Sequence, residues 1–235
     1  MRALVTGAAG GIGRAIVEAL DGDVIGCDLP GTGADVEFDQ RDPEAVRAGV
    51  AEAVSRLGGL DALVANAGIV DTLHRAERFP ADAWAGDLEA NLTGAFLVAQ
   101  AAFAALRESA APAIVFVSSA SAELGLPGQA AYTASKAGLV GLARTLAAEW
   151  GPRGIRVNVV MPGLIGTPKV RALPEPVLTA MTRTIPLGRV GEPADVARTI
   201  AFLLGPGAAY VHGQVLRIDG GLGLAGAALT AGEQS

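Results

Sequence analysis

Short aliphatic runs alternate along this chain with longer segments of helical periodicity, and no other feature constrains the fold as tightly. The runs 3–5, 24–27, 62–65, 114–117, 156–160 and 215–218 are almost continuously apolar, as strands are when a parallel sheet is covered on both faces. Between them, residues 11–20, 43–57, 83–109, 130–150 and 193–204 carry helical patterns, and Pro193 stands where a first-turn proline is tolerated. Such a series predicts an α/β fold: a doubly wound parallel sheet (Rossmann fold) with helices on both faces. With 235 residues and no internal repeat or low-complexity linker, the chain reads as a single domain, 1–235. Two stretches are less regular. Residues 167–190, punctuated by prolines, read as a substrate lid, and 222–235 as a Gly/Ala-rich tail.

Composition narrows the function classes. Apolar residues make up 51% and mean hydropathy is +0.41, but much of this is Ala, which suits close helix–sheet packing. The longest charge-free stretch of helical apolarity, 92–106, falls short of the ~20 residues a bilayer requires, so no membrane span is expected. A strand starting at Arg2 leaves no room for a signal peptide. The single cysteine, Cys27, cannot close an internal disulfide and is expected to be a small buried hydrophobe; both features suit a cytoplasmic protein. A net charge of −6 argues against nucleic acid as a partner, and no metal site is expected.

Gly7, Gly10, Gly11 and Gly13, with Ile12 among them, directly follow the first strand and open a helix. Glycines there let the backbone approach a pyrophosphate, which then lies at the positive end of the helix. Asp28 ends the second strand 21 residues after Gly7, close to the ~20-residue offset of the acid that binds the adenosine ribose. A carboxylate accepts from both ribose hydroxyls and repels a 2′-phosphate. Neither Leu29 nor Pro30 supplies a cation, so NAD is expected rather than NADP.

Of 18 basic residues only Lys136 and Lys169 are lysines, and Lys136 stands one helical turn after Tyr132, one of two tyrosines. Residues i and i+4 share a helix face. A free phenol has a pKa of ~10. A cation ~4 Å away stabilises the phenolate by ~4 kcal/mol at an effective dielectric of ~20, or about three pK units. Lysine, a compact charge on a flexible stem, suits that task better than arginine.

Taken in order, these stretches resemble the single-domain short-chain dehydrogenase/reductases. Thr6-Gly7-x-x-x-Gly11-Ile12-Gly13 is similar to their cofactor turn, Asn66-Ala67-Gly68 to the element after their fourth strand, and Asn91 to the asparagine of their central helix. Ser118-Ser119, Tyr132-x-x-x-Lys136, the loop from Pro162 to Thr167 and Asp219-Gly220-Gly221 follow in the family's order. Gly7, Gly10 and Gly13 also fit the turn of the sugar-nucleotide epimerase branch, but that branch needs a larger C-terminal substrate domain than remains after Pro162. Ala122 departs from the family, many members of which carry glycine three residues after the catalytic serine.

The resemblance implies a role for each residue. Tyr132 is the general acid/base. Lys136 holds the nicotinamide ribose and lowers the Tyr132 pKa. Ser119, chosen over Ser118 by the family's thirteen-residue spacing to the tyrosine, steadies the substrate oxygen, and Asn91 binds a water in a proton relay. Asp28 with Leu29, and Asp39 with Gln40 after a short third strand, hold the adenosine end. Asn66, Ala67 and Gly68 line its ribose, and Pro162, Gly163, Ile165 and Thr167 shape the loop over the carboxamide. The implied assembly is a homotetramer packed through the long helices.

The implied reaction is the NAD-dependent interconversion of a secondary alcohol and a ketone, both small molecules. A 3-oxoacyl carrier-protein reductase and a 3-hydroxyacyl-CoA dehydrogenase are alternatives; Asp28 weighs against the first, whose members usually use NADPH. Arg171, Arg183 and Arg189 are candidates to meet an acidic carrier. A non-catalytic NAD sensor is the reading from another class, though such proteins tend to lose the Tyr or the Lys. The substrate pocket is expected among the His74 region, residues 121–126 and the lid. Tyr210 is expected to pack in the core, and His74 to be a solvated loop residue.

Overall fold

The computed structural model describes residues 1–70 and 72–224; all of the expected tail beyond Leu224 lies outside the described residues. Seven parallel strands form one sheet in the order β3-β2-β1-β4-β5-β6-β7. They are β1 (Arg2–Thr6), β2 (Asp23–Asp28), β3 (Val36–Glu37), β4 (Ala62–Ala65), β5 (Ala113–Val117), β6 (Arg156–Pro162) and β7 (Val215–Ile218). The six aliphatic runs are all strands. The short third strand, implied only by the resemblance, is β3.

The helices are α1 (Gly11–Ala19), α2 (Pro43–Leu57), α3 (Ala81–Leu88), α4 (Gly94–Arg107), α5 (Ser121–Leu124), α6 (Ala130–Trp150), α7 (Pro168–Arg171), α8 (Glu175–Thr182) and α9 (Pro193–Leu204). Helices α2, α4 and α6 bury one face of the sheet, where Val98, Leu106, Phe116, Leu139 and Ile155 form the core. Helices α1 and α9 bury the other through Ile16, Val115, Val160, Val196 and Ile200. Chemistry at the ends sets the boundaries. Asp42 caps α2 by accepting from the amides of Glu44 and Ala45. Glu192 and Asp195 form a capping box around the first-turn Pro193 of α9.

Four expectations change. The helix placed at 83–109 begins at Ala81, ends at Arg107 and widens into a π-helical turn, Glu89–Thr93, around Asn91. That whole length, Ala81–Arg107, is long and apolar enough to cross a membrane by composition, contrary to the count of charge-free residues alone. Within it, Val98, Ala99, Ala102 and Leu106 are wholly buried against the sheet. Tyr210 is fully exposed, since the 3₁₀ turn Pro206–Ala208 directs Ala208 inward and carries the chain back to the surface. Within 167–190, the expected irregular segment contains α7 and α8.

Candidate active site

Strand order reverses between β1 and β4, so the loops that leave their C-terminal ends diverge and open a crevice. The glycine turn leaves β1 and the Asn66 loop leaves β4. Thr6, buried at the end of β1, ties the two together by accepting from the amides of Asn66 and Ala67, both at 3.1 Å. Asn66 donates in turn to the carbonyls of Thr6 and Gly7 at 3.0 and 3.1 Å. A Cβ on Gly13 would stand 1.9 Å from the Gly7 oxygen, so only glycine lets α1 begin this close to the turn. Asp28 accepts from the amide of Ala9 at 2.8 Å with one oxygen and from Leu29 with the other. Its carboxylate therefore faces the turn from the end of β2.

This crevice fits a dinucleotide. The glycine turn leaves room for a pyrophosphate at the start of α1, and the Asp28 carboxylate has lone pairs to spare for ribose hydroxyls. Thr167 and Pro168 close over the same turn, since a Cβ on Gly11 would meet both at 3.0 to 3.2 Å. Pro162 ends β6, and Gly163 follows, its amide bonded to Ile218. Ile165, buried, bridges to Gly191, and Thr167 caps α7. Asp39 is paired with Arg41, which holds its carboxyl below the ordinary range. The Gln40 side chain turns inward and donates to Ala90 at 2.5 Å and Ala67 at 3.4 Å.

The polar residues expected to do chemistry converge beside β5. Ser118 and Ser119 separate clearly. Buried Ser118 donates to the Lys136 carbonyl at 2.7 Å, whereas Ser119 Oγ accepts from the Ser121 hydroxyl at 3.0 Å and from the Ser121 amide at 3.2 Å. Lys136 is buried and donates through Nζ to the Val117 carbonyl at 2.9 Å. Asn91, wholly buried in its π turn, accepts from the Ile69 amide at 2.7 Å and donates to the Ile69 carbonyl at 2.9 Å and Ser135 Oγ at 3.2 Å. Ser135 closes the chain by donating to the Tyr132 carbonyl at 2.7 Å.

Burial raises the Tyr132 phenol above its ordinary 10, and the Ser119 hydroxyl opposes this rise. The Lys136 ammonium lies 5.8 Å from the Tyr132 ring centroid and donates to the Val117 carbonyl. Burial brings Lys136 itself down to about 8, because no carboxylate among its described contacts pairs with it.

Other expected residues fall elsewhere. His74 is exposed, its amide bonded to Gly128 just before α6 and its ring edge-on to Phe79 at 5.3 Å. Arg171 and Arg189 are occupied by Glu192 and Asp195 at 2.6 and 2.9 Å. Cys27 is buried, with its thiol pushed up to about 12 by desolvation, as suits an inert side chain. Thr6, Ser118 and Ser135 were not assigned roles by sequence reasoning. Their one visible signal is a hydroxyl inside or beside an otherwise apolar run.

A parallel sheet with a glycine turn and an acid at the switch point, and a Ser–Tyr–Lys group one strand over, defines a dinucleotide-dependent oxidoreductase. Comparison with known proteins agrees. The family described as enoyl-(acyl carrier protein) reductase matches residues 7–223. The 3-oxoacyl-[acyl-carrier-protein] reductase of Vibrio cholerae is 36% identical over 94% of this chain and 96% of its own length. The reductase of that name from Thermotoga maritima is 39% identical over 93% of this chain and 96% of its own. A crystal structure of levodione reductase superposes with a TM-score of 0.86 at 31% identity, covering 93% of this chain and 96% of that one. The chain belongs to the short-chain dehydrogenase/reductase family. It is an oxidoreductase that acts between a secondary alcohol and a ketone with a nicotinamide cofactor.

Proposed function

We propose that the enzyme uses NAD rather than NADP and that Ser119, Tyr132, Lys136 and Asn91 are its catalytic residues. The observation that carries this reading is a buried Lys136, its Nζ on the Val117 carbonyl just before Ser118 and Ser119, lying 5.8 Å from the ring of a half-buried Tyr132 one turn earlier. The glycine turn, Asp28, Asn66, Ala67, Gly68 and the loop from Pro162 to Thr167 would hold the dinucleotide, which supplies the hydride acceptor or donor. Tyr132 exchanges a proton with the substrate oxygen, and Ser119 donates to that oxygen and keeps the phenol in line. Lys136 lends positive charge beneath the tyrosine, and Asn91 keeps its surroundings polar through Ile69 and Ser135. Asp28 favours NAD because a carboxylate repels a 2′-phosphate and accepts from free hydroxyls.

Among ketones, a 3-oxoacyl thioester is the substrate supported by the relatives named as acyl-carrier-protein reductases. Leu73, Leu124 and Leu126, all exposed near the α5 and His74 loops, offer an apolar rim for an acyl chain. Residues 167–190 would act as the lid; a cleft of about 510 Å³ lies along α8, lined by Leu178, Thr182, Ile185 and Val190. Leu97, Ala101, Val140 and Leu142, half-buried on α4 and α6, would form the contact faces of a homotetramer, which light scattering would test. The deciding experiment is an NADH- and NADPH-linked screen of acyl thioesters, hydroxysteroids, sugars, polyols and cyclic alcohols. Tight NAD binding with no turnover of any of them would favour a sensor.

A further inference from the structure

The Gln40 side chain leaves the adenosine end of the crevice for the helix that carries Asn91. It is buried, and its amide nitrogen touches two carbonyls, Ala90 at 2.5 Å and Ala67 at 3.4 Å. Ala90 immediately precedes Asn91 in the π turn Glu89–Thr93, and Ala67 immediately precedes Gly68. The path is tight. A Cβ on Gly94 would stand 2.5 Å from Gln40 Cγ and 2.9 Å from Cδ, so the glycine after the π turn admits this side chain.

A π turn costs helical regularity and persists only where surrounding contacts define it. Here the Gly94 amide reaches back five residues to the Glu89 carbonyl. The turn is gripped on one side by Asn91, through its three bonds to Ile69 and Ser135, and on the other by Gln40. The same stretch of backbone leads back to the cofactor acid, because the Phe38 amide donates to the Asp28 carbonyl at 2.9 Å.

We infer that Gln40 is a positioning residue: by donating to Ala90 and Ala67 it holds the π turn in the register that points Asn91 at Ile69 and Ser135, and so sets the surroundings of Lys136 and Tyr132. The inference rests on the proposed catalytic assignment and gives Gln40 a task separate from adenine contact.

Two variants test it. Gln40→Met keeps the length and removes the donor, and Gln40→Glu presents an acceptor to two carbonyls. With the full chain and the best substrate from the screen, Gln40→Met should lose roughly tenfold in kcat and Gln40→Glu about 10²-fold, with the NAD dissociation constant within about twofold of wild type. The loss should fall on kcat with the substrate KM nearly unchanged, a split that a merely structural loss would not produce. Amide hydrogen exchange at residues 89–94 should quicken relative to that in β5. Unchanged kcat and unchanged exchange in Gln40→Met would overturn the inference, as would weakened NAD binding at unchanged kcat. The exchange measurement needs no turnover, so failure of the catalytic assignment is distinguishable from failure of the Gln40 contact.

Discussion

Lys136 and Asn91 meet over the α-carbon of Gly68: a Cβ placed there would stand 2.9 Å from Asn91 Oδ1 and 3.1 Å from Lys136 Nζ. The two side chains come from different helical elements, and the absence of a side chain on the intervening loop is what lets them share this space. The Gly68 backbone is outside the left-handed region, so alanine is tolerated conformationally and its effect falls on its neighbours. Gly68→Ala should displace the ammonium or the amide by a few tenths of an ångström or more and lower kcat/KM by roughly 10- to 10²-fold in a folded protein. Steady-state kinetics alongside circular dichroism decides the point. A folded variant with the wild-type rate would remove this junction from the catalytic machinery.

The Ser119 hydroxyl gives a prediction with a sign. Burial lifts the phenol above 10, and Ser119 pulls it down by favouring the phenolate. With Tyr132 as the proposed base, alcohol oxidation needs the phenolate, so its rate should climb as pH rises toward the tyrosine's titration. Ser119→Ala removes a group that lowers the pKa, so the midpoint of the kcat/KM profile should move to higher pH. Tyr132→Phe should abolish turnover while leaving NAD affinity nearly unchanged, and retention of more than about a tenth of the rate would sink the assignment of the base. Stopped-flow profiles across the alkaline range read both outcomes.

The inner strands were legible because burial on both faces forces continuous aliphatic runs, as in wholly buried 62–65, and the edge strand 215–218, though only half-buried, also has the boundaries read from the sequence. The glycine turn, Asp28 and the Tyr132–Lys136 spacing were legible because each is a local pattern. What escaped depends on contacts between distant segments. Nothing local to 89–93 marks a π turn; it exists because Asn91 and Gln40 find Ile69 and Ala90, 22 and 50 positions away. The direction of the Gln40 side chain is likewise set by Gly94. Tyr210 looked like a core residue by type, but its neighbour Ala208 occupies the inward position.

The proposed preference for NAD rests on one carboxylate. Asp28 already spends one oxygen on Ala9 and the other on Leu29, so it is held facing the turn rather than swinging free. Asp28→Ser should weaken NAD, which loses an acceptor for its ribose hydroxyls, and should strengthen NADP by relieving repulsion. The ratio of kcat/KM values for the two cofactors is expected to shift toward NADP by about tenfold or more, on the scale of a lost charged hydrogen bond. A wild-type enzyme that already prefers NADP would refute the role given to Asp28.

Lys136 should make the fold less stable than it need be. Its ordinary pKa of 10.5 falls to about 8 in the folded chain through burial. Between these values the unfolded chain binds a proton that the folded chain has released, so stability rises with pH across that window. Below pH 8 both forms are charged and the penalty, on the order of 3 kcal/mol, is present in full. Lys136→Met retains most of the apolar stem and removes the charge. It also strips the Val117 carbonyl of its donor, at a cost of about 1–3 kcal/mol that does not vary with pH. The absolute midpoint therefore decides little, and the slope decides the matter. Urea unfolding at a series of pH values should show wild type gaining stability from pH 8 to 10 relative to the variant. Parallel curves would mean that the buried lysine is not strained toward neutrality. If the curves converge as expected, the same burial that weakens the fold leaves an amine titrating within reach of Tyr132, where a proton must be passed.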